Sequence, residues 1–230
     1  MTLLFFQGLV DTATKAGGVV GNTAEKKTMF NLLANGGPLM IPLAILLVVA
    51  IFFFIERLMA VNKASKVEGN FMNIIRDHIM NGNISAARSL AKNTDNAVAR
   101  MIDKGLQRIG KPIDAIEKSM ENVAKLEMYK MERNTAVLAS IAKMAPLFGF
   151  LGTIVGMIQL FSNINETGKF ELNIIAGGIY VKMITSATGL IIGILAYVAH
   201  NYITVQIDKT ANKLEVSSAE FLDILQEPTK

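Results

Sequence analysis

Cysteine is absent from this 230-residue chain, which excludes a disulfide framework, a thiolate metal site and a cysteine nucleophile. Charge is scarce as well. Asp, Glu, Lys and Arg make up 18% of the residues against 51% hydrophobic side chains, a balance too apolar for an ordinary soluble domain of this length. Histidine occurs only at His78 and His200, without metal-ligand spacing, and no phosphate loop or nucleophile elbow is present. His78 reads as solvated and His200 as interfacial; no enzymatic activity and no cofactor are expected. The opening MTLLFFQGLVDTATKAGG lacks the early basic residues of a secretory leader, and Asp11 interrupts its apolar run, so it reads as mature sequence. Leu3, Leu4, Phe5, Phe6, Leu9 and Val10 are too few to cross a bilayer. They suit either a short interfacial helix or a frayed terminus.

Apolar sequence is instead concentrated in long runs. A hydrocarbon core about 30 Å thick needs roughly 20 residues of helix, and residues of about 37–58, 144–163 and 172–199 meet that requirement. Pro38 and Pro42 fall near the start of the first span, where a missing N–H costs least. Only a short polar stretch around 164–171 separates the second span from the third, which predicts an antiparallel hairpin turning near Gly168. Lys and Arg near the span ends set the direction. Arg57, Lys63 and Lys66 follow the first span, Lys125, Lys130, Arg133 and Lys143 precede the second, and Lys209 and Lys213 follow the third. The reading is a cytoplasmic region over about 60–143 and 204–230, with the N-terminus and the hairpin loop on the periplasmic side; Lys26 and Lys27 count against it but face three concordant clusters.

The region between the first and second spans interleaves charged and apolar residues at three- and four-residue spacing, as in IEKSMENVAKLEMYKMERN, the pattern of a helical domain. Its basic balance follows from membrane topology, and with no aromatic interleaving or binding motif a nucleic-acid partner is not expected. Pro112 suits a helix start, and no further proline occurs until Pro146. The pattern therefore predicts one helix from about Ile113 into the second span, bent at Pro146. The third span likewise continues without a breaker through NYITVQIDKTANKLEVSSAEFLDIL. The fold class is thus an all-α integral membrane protein with three transmembrane helices, the second and third extended into a cytoplasmic helical region, and a single domain over 1–230.

Within the spans the small and polar residues carry the information. Gly152 with Gly156, and Gly189 with Gly193, form G-x-x-x-G pairs, and Gly149 lies one turn before the first. Such pairs let backbones approach closely, either within the hairpin or between subunits. Thr153 sits near mid-span two; Thr185, Ser186 and Thr188 sit near mid-span three. If the hairpin turns near Gly168, residues at one level have numbers adding to about 336, which sets Thr153 opposite Met183 to Ser186. These hydroxyls either form a shared polar layer or bond their own i−4 carbonyls. Lys182 is a charge within a span, which costs about 2.5–3.5 kcal/mol on insertion scales. It faces a cavity, a partner or Gln159 at similar depth, or it snorkels toward Glu166 or Glu171. Glu56 and Arg57 read as a solvated pair. No Asp or Glu lies well inside a span, and a hydroxyl does not titrate near neutral pH. If ions cross here, the titrating carboxylate belongs to another chain.

Two stretches resemble a known family. APLFGFLGTIVGM at 145–157, and IAGGI with TSATGL between 175 and 190 followed by Asn201, resemble the ExbB/TolQ/MotA proton-channel family over about 37–220, most closely its ExbB and TolQ branch, because MotA-like members usually have four spans. The resemblance implies a pentamer in the bacterial inner membrane, embedded in its lipids. Its second and third helices would surround the single-span helices of an ExbD-like or TolR-like partner that supplies an aspartate. It implies that Thr153 matches the pore threonine of the second helix, and that Ser186 matches the second threonine of a third-helix pair with Thr185 beside it. It also implies a motor driven by the proton gradient that energises outer-membrane transport through a TonB-like protein. The alternatives are a TolQ-like role with a TolA-like protein, another energised process such as motility, or, from a different class, a non-conducting scaffold. The sequence departs from the family where a frequent glutamate falls at Val181, a proline at Leu195 and an aromatic at His200. Lys182 stands one position after the missing glutamate.

Overall fold

The computed structural model describes residues 39–66, 69–168 and 172–226, all within one compact unit, Gly36–Lys230. The readings made for the N-terminal apolar cluster and Pro38, for 169–171 within the loop and for 227–230 fall outside the described residues. Among the described residues every regular element is an α-helix, and three helices are long and apolar enough to cross a membrane. This is an all-α, multi-pass membrane protein.

Helix α1, Met40–Ser65, is the first span. Pro42 lies in its first turn, where no intrahelical donor is lost. At its other end, Lys213 Nζ donates to the Ser65 carbonyl at 3.1 Å, placing a cation at the negative end of the helix. Three short helices follow: α2, Phe71–Met80; α3, Ile84–Asn93; and α4, Ala97–Leu106. Asparagine starts two of them. Asn83 Oδ1 accepts from the Ala86 N–H at 3.2 Å and Asn96 Oδ1 from the Ala99 N–H at 2.7 Å, so each side chain satisfies an orphan donor of a first turn. Asn96 Nδ2 also donates to the Lys66 carbonyl at 2.9 Å, tying α4 to the end of α1.

Helix α5, Ile113–Glu132, begins after Pro112 as the sequence suggests. It does not run on into the membrane. The chain breaks at Arg133 and Asn134, where Asn134 adopts φ 65°, and restarts as α6, Thr135–Thr167. The expectation of one continuous helix is therefore corrected. The helix passes through Pro146 without interruption, whereas a left-handed asparagine, one of the few non-glycine types that tolerate this conformation, divides the segment twelve residues earlier. Gly168 caps α6 in the left-handed region and its N–H reaches the Ile164 carbonyl at 2.9 Å, which is where the hairpin turn was expected. Helix α7, Leu172–Gln226, then runs for 55 residues, through the third span and beyond.

Packing follows these lengths. Helices α6 and α7 share the most extensive interface, and α1 lies against both. Outside the spans, α2, α4 and α5 pack along the far part of α7 and α3 packs on α2 and α4, burying Phe71, Ile75, Ile102, Met120, Leu214 and Phe221.

Candidate functional site

The α6–α7 hairpin is built on glycine. A Cβ added at Gly189 would come 2.6 Å from the Ala145 carbonyl oxygen and 2.8 Å from the Gly149 Cα, and one at Gly193 would come 2.6 Å from Pro146 Cγ. One at Gly152 would meet Thr185 Cγ2 at 2.8 Å, and one at Gly156 would overlap the Cγ, Cδ and Cε of Lys182. All five glycines are buried. Of the two roles open to the G-x-x-x-G pairs, packing of the hairpin on itself is the one this chain displays.

These contacts also measure the register. Gly149 with Gly189, Gly152 with Thr185, Gly156 with Lys182 and Pro146 with Gly193 have numbers adding to between 337 and 339, close to the expected 336. Thr153 therefore shares a level with Thr185. On α7, Lys182, Ser186, Gly189 and Gly193 fall at i, i+4, i+7 and i+11, one stripe of a helix with 3.6 residues per turn, and the Lys182 stem, the Ser186 backbone and the two glycines lie against α6. The spacing was present in the sequence, but only the contacts show that Lys182 belongs to the same face as the glycines.

Each hydroxyl has its own setting. Thr153 is half-buried and its Oγ1 donates to the Phe150 carbonyl at 2.7 Å. Thr185 is 1% exposed, with its methyl group against Gly152. Ser186 is half-buried, and Thr188 donates to the Ile184 carbonyl at 2.8 Å. Back-bonding and a shared layer thus coexist: Thr153 and Thr188 are tied to their own helices, and Thr153, Thr185 and Ser186 still lie at one depth. Gln159 is exposed on α6. Lys182 is half-buried, and Glu166, one of its two expected partners, instead accepts from Ser162 Oγ at 3.3 Å.

A second polar centre lies where α1 leaves its apolar stretch. Arg57 is 6% exposed, which corrects the reading of a solvated Glu56–Arg57 pair. Its Nη1 donates to the Lys130 carbonyl at 3.0 Å, its Nε donates to Glu56 Oε2 at 3.3 Å and its Nη2 to Glu56 Oε1. The guanidinium thus satisfies a carbonyl in the last turn of α5, next to the break at Asn134. Nearby, Glu127 is 3% exposed and accepts from Arg100 Nη2 at 2.6 Å and from Lys130 Nζ at 2.7 Å. Burial pushes the Glu127 carboxyl up, but the bonds from Arg100 and Lys130 outweigh it and hold the group below its ordinary range. Arg100 also pairs with Asp95, which pairs with Lys63 on α1 at 2.7 Å. Sequence reading missed this centre, because its members come from α1, α4 and α5.

Fold and site together define a multi-pass helical membrane protein whose second and third spans close on each other through glycine around a layer of hydroxyls. The model of the MotA/TolQ/ExbB proton channel family matches residues 93–216, more than half of the chain, and the chain belongs to that family. It is similar to an ExbB homolog of Methanothermobacter thermautotrophicus, 25% identical over 82% of this chain and 67% of the relative. It is 32% identical to the biopolymer transport protein exbB1 of Vibrio cholerae over 39% of this chain and 40% of that protein. It is 28% identical to the Tol-Pal system protein TolQ of Haemophilus influenzae over 42% of this chain and 41% of the relative. The matched stretches thus span from about two-fifths to two-thirds of these relatives' own lengths.

Proposed function

We propose that this chain is the channel subunit of an inner-membrane motor that couples inward proton flow to movement of a partner, energising outer-membrane transport through a TonB-like protein. The observation that carries the reading is the level shared by Thr153, Thr185 and Ser186 in spans without a buried Asp or Glu. Hydroxyls relay a proton or solvate a carboxylate, but they do not bind and release protons near neutral pH. The titrating group then comes from an ExbD-like or TolR-like single-span helix, packed against the hairpins of a pentamer. Thr153 and Ser186 face that carboxylate, Thr185 supports the layer from within the hairpin, and the glycines keep the two walls close. The basic clusters at the span ends support a cytoplasmic extramembrane region with a periplasmic hairpin loop. The work is transport and force, not enzymatic chemistry. Similarity to TolQ favours, as a second reading, the same machine serving envelope maintenance.

The test is proton flux into vesicles containing this chain co-expressed with the single-span protein encoded beside it. Replacing Thr153 and Ser186 together by Ala is expected to abolish flux, while native mass spectrometry still finds five copies of the 25.0 kDa chain around the partner. Undiminished flux would remove those hydroxyls from the route. A chain stable as a monomer or dimer, with no partner and no flux, would make it a scaffold.

A further inference from the structure

Lys182 is the cation that α7 carries deep into its span, and the structure gives its stem a place. Its Cγ, Cδ and Cε occupy the notch that Gly156 leaves in α6. Any larger residue at 156 would displace it. Among the described residues nothing bonds the ammonium: the ion pairs lie elsewhere, Glu166 is engaged by Ser162, and Gln159 makes no bond to it. Lys182 lies ten residues inside the start of α7, about 15 Å along the helix. That is farther than a lysine side chain extends, so the ammonium does not reach the loop end of α7.

The depth of Lys182 sets what it meets instead. Lys182, Thr185 and Ser186 follow one another at i, i+3 and i+4 on one face, and Thr153 is level with Thr185. The stem therefore leaves α7 within about one turn, roughly 5 Å, of the hydroxyl layer, and helical side chains lean toward the helix N-terminus, here the loop end. An unpaired ammonium inside a span is costly, and so is an unpaired carboxylate on a neighbouring span; bringing the two together relieves both.

We propose that Lys182 is a docking cation, which receives a carboxylate carried on a membrane helix of another chain on the loop side of the Thr153–Thr185–Ser186 layer. The inference rests on the reading that the hairpin packs against a carboxylate-bearing partner, and it adds the residue of this chain that holds that carboxylate. The hydroxyls offer neutral hydrogen bonds at one level; Lys182 offers the charge that fixes the partner helix in depth. Gly156 is part of the same device, since its missing side chain leaves the space in which the stem lies.

Carbodiimide coupling tests this directly. Dicyclohexylcarbodiimide enters membranes and activates a carboxyl, and an amine in contact with it then forms an amide. Membranes holding the full chain with its co-expressed single-span partner are treated, digested and analysed by mass spectrometry. The expected product joins Lys182 to an Asp or Glu in a membrane segment of the other polypeptide, and Lys182→Arg abolishes it. Lys182→Met is expected to lower recovery of the partner with the purified chain about tenfold, with Lys182→Arg recovering it. Amides from Lys182 only to Glu166 or Glu171 of this chain would overturn the proposal. So would a partner carboxyl that takes up the reagent, in a complex whose flux depends on Thr153 and Ser186, without any link to Lys182. That last result leaves the channel reading standing; the absence of any carboxylate-bearing partner removes both.

Discussion

Arg57 satisfies the Lys130 carbonyl and both oxygens of Glu56 with one planar group. A lysine has a single compact head and does not span these acceptors. Arg57→Ala is expected to lower the thermal stability of the detergent-solubilised protein by about 2 kcal/mol, the scale of a lost charge-assisted bond with an orphaned partner, and Arg57→Lys to recover less than half of it. Equal stability of the Lys variant and the native chain would count against the fork. Glu127 makes a prediction of the opposite chemical sense. Its folded pKa is lowered, so the stabilisation from ionised Glu127 is fully present above the ordinary glutamate value of about 4.3 and is lost as pH falls below it, through the lowered value. Acid titration followed by circular dichroism should therefore find Glu127→Gln less stable than the native chain near neutrality, with the difference shrinking below pH ~4. A difference independent of pH would assign the loss to packing alone. Neither residue's role was legible in the sequence. Arg57 bonds a carbonyl 73 positions away, and a charged pair at the end of a span looks the same whether water or another helix covers it. The position of Thr153, by contrast, was legible: the turn near Gly168 sets it level with Thr185, while its bond to the Phe150 carbonyl is the ordinary local one.

At the scale of elements, the hairpin depends on backbone contact. Gly189→Ala puts a Cβ against the Ala145 carbonyl and the Gly149 Cα, neither of which turns aside as a flexible side chain does. The helices must separate, at a cost of about 1–3 kcal/mol for an overpacked site. Gly177 is the control: it lies on the same helix with nothing within 4 Å of an added Cβ. Gly177→Ala should leave stability unchanged or raise it slightly through helix propensity. Thermal unfolding of the two variants in one detergent decides the matter, and equal losses would show that close approach at Gly189 is unimportant. The three spans, the hairpin and its register could be read from the sequence because hydropathy and turn position constrain them strongly. The break between α5 and α6 could not. Asn134 is a type that tolerates the left-handed conformation, but one asparagine inside a continuing helical pattern does not announce a break, and Arg57 and Glu56 of another helix meet the chain at this joint.

The whole molecule joins a membrane layer to an extramembrane helical core, and the two halves differ in legibility for a physical reason. The spans follow from one-dimensional apolar length, whereas α2, α3 and α4 are short helices that acquire their arrangement by packing on one another, with α2 and α4 also resting on α7. That dependence gives α7 a mechanical meaning. Gly189, in contact with α6, and Phe221, at the centre of the outer core, stand on one uninterrupted helix of 55 residues, about 48 Å apart along its axis. A rod of this kind acts as a lever with fixed gain: a tilt of about 5° at the glycine contact displaces the far end by roughly 4 Å, sideways and without delay. Whatever tips the hairpin in the membrane is thereby announced, enlarged, to the helices that surround Phe221.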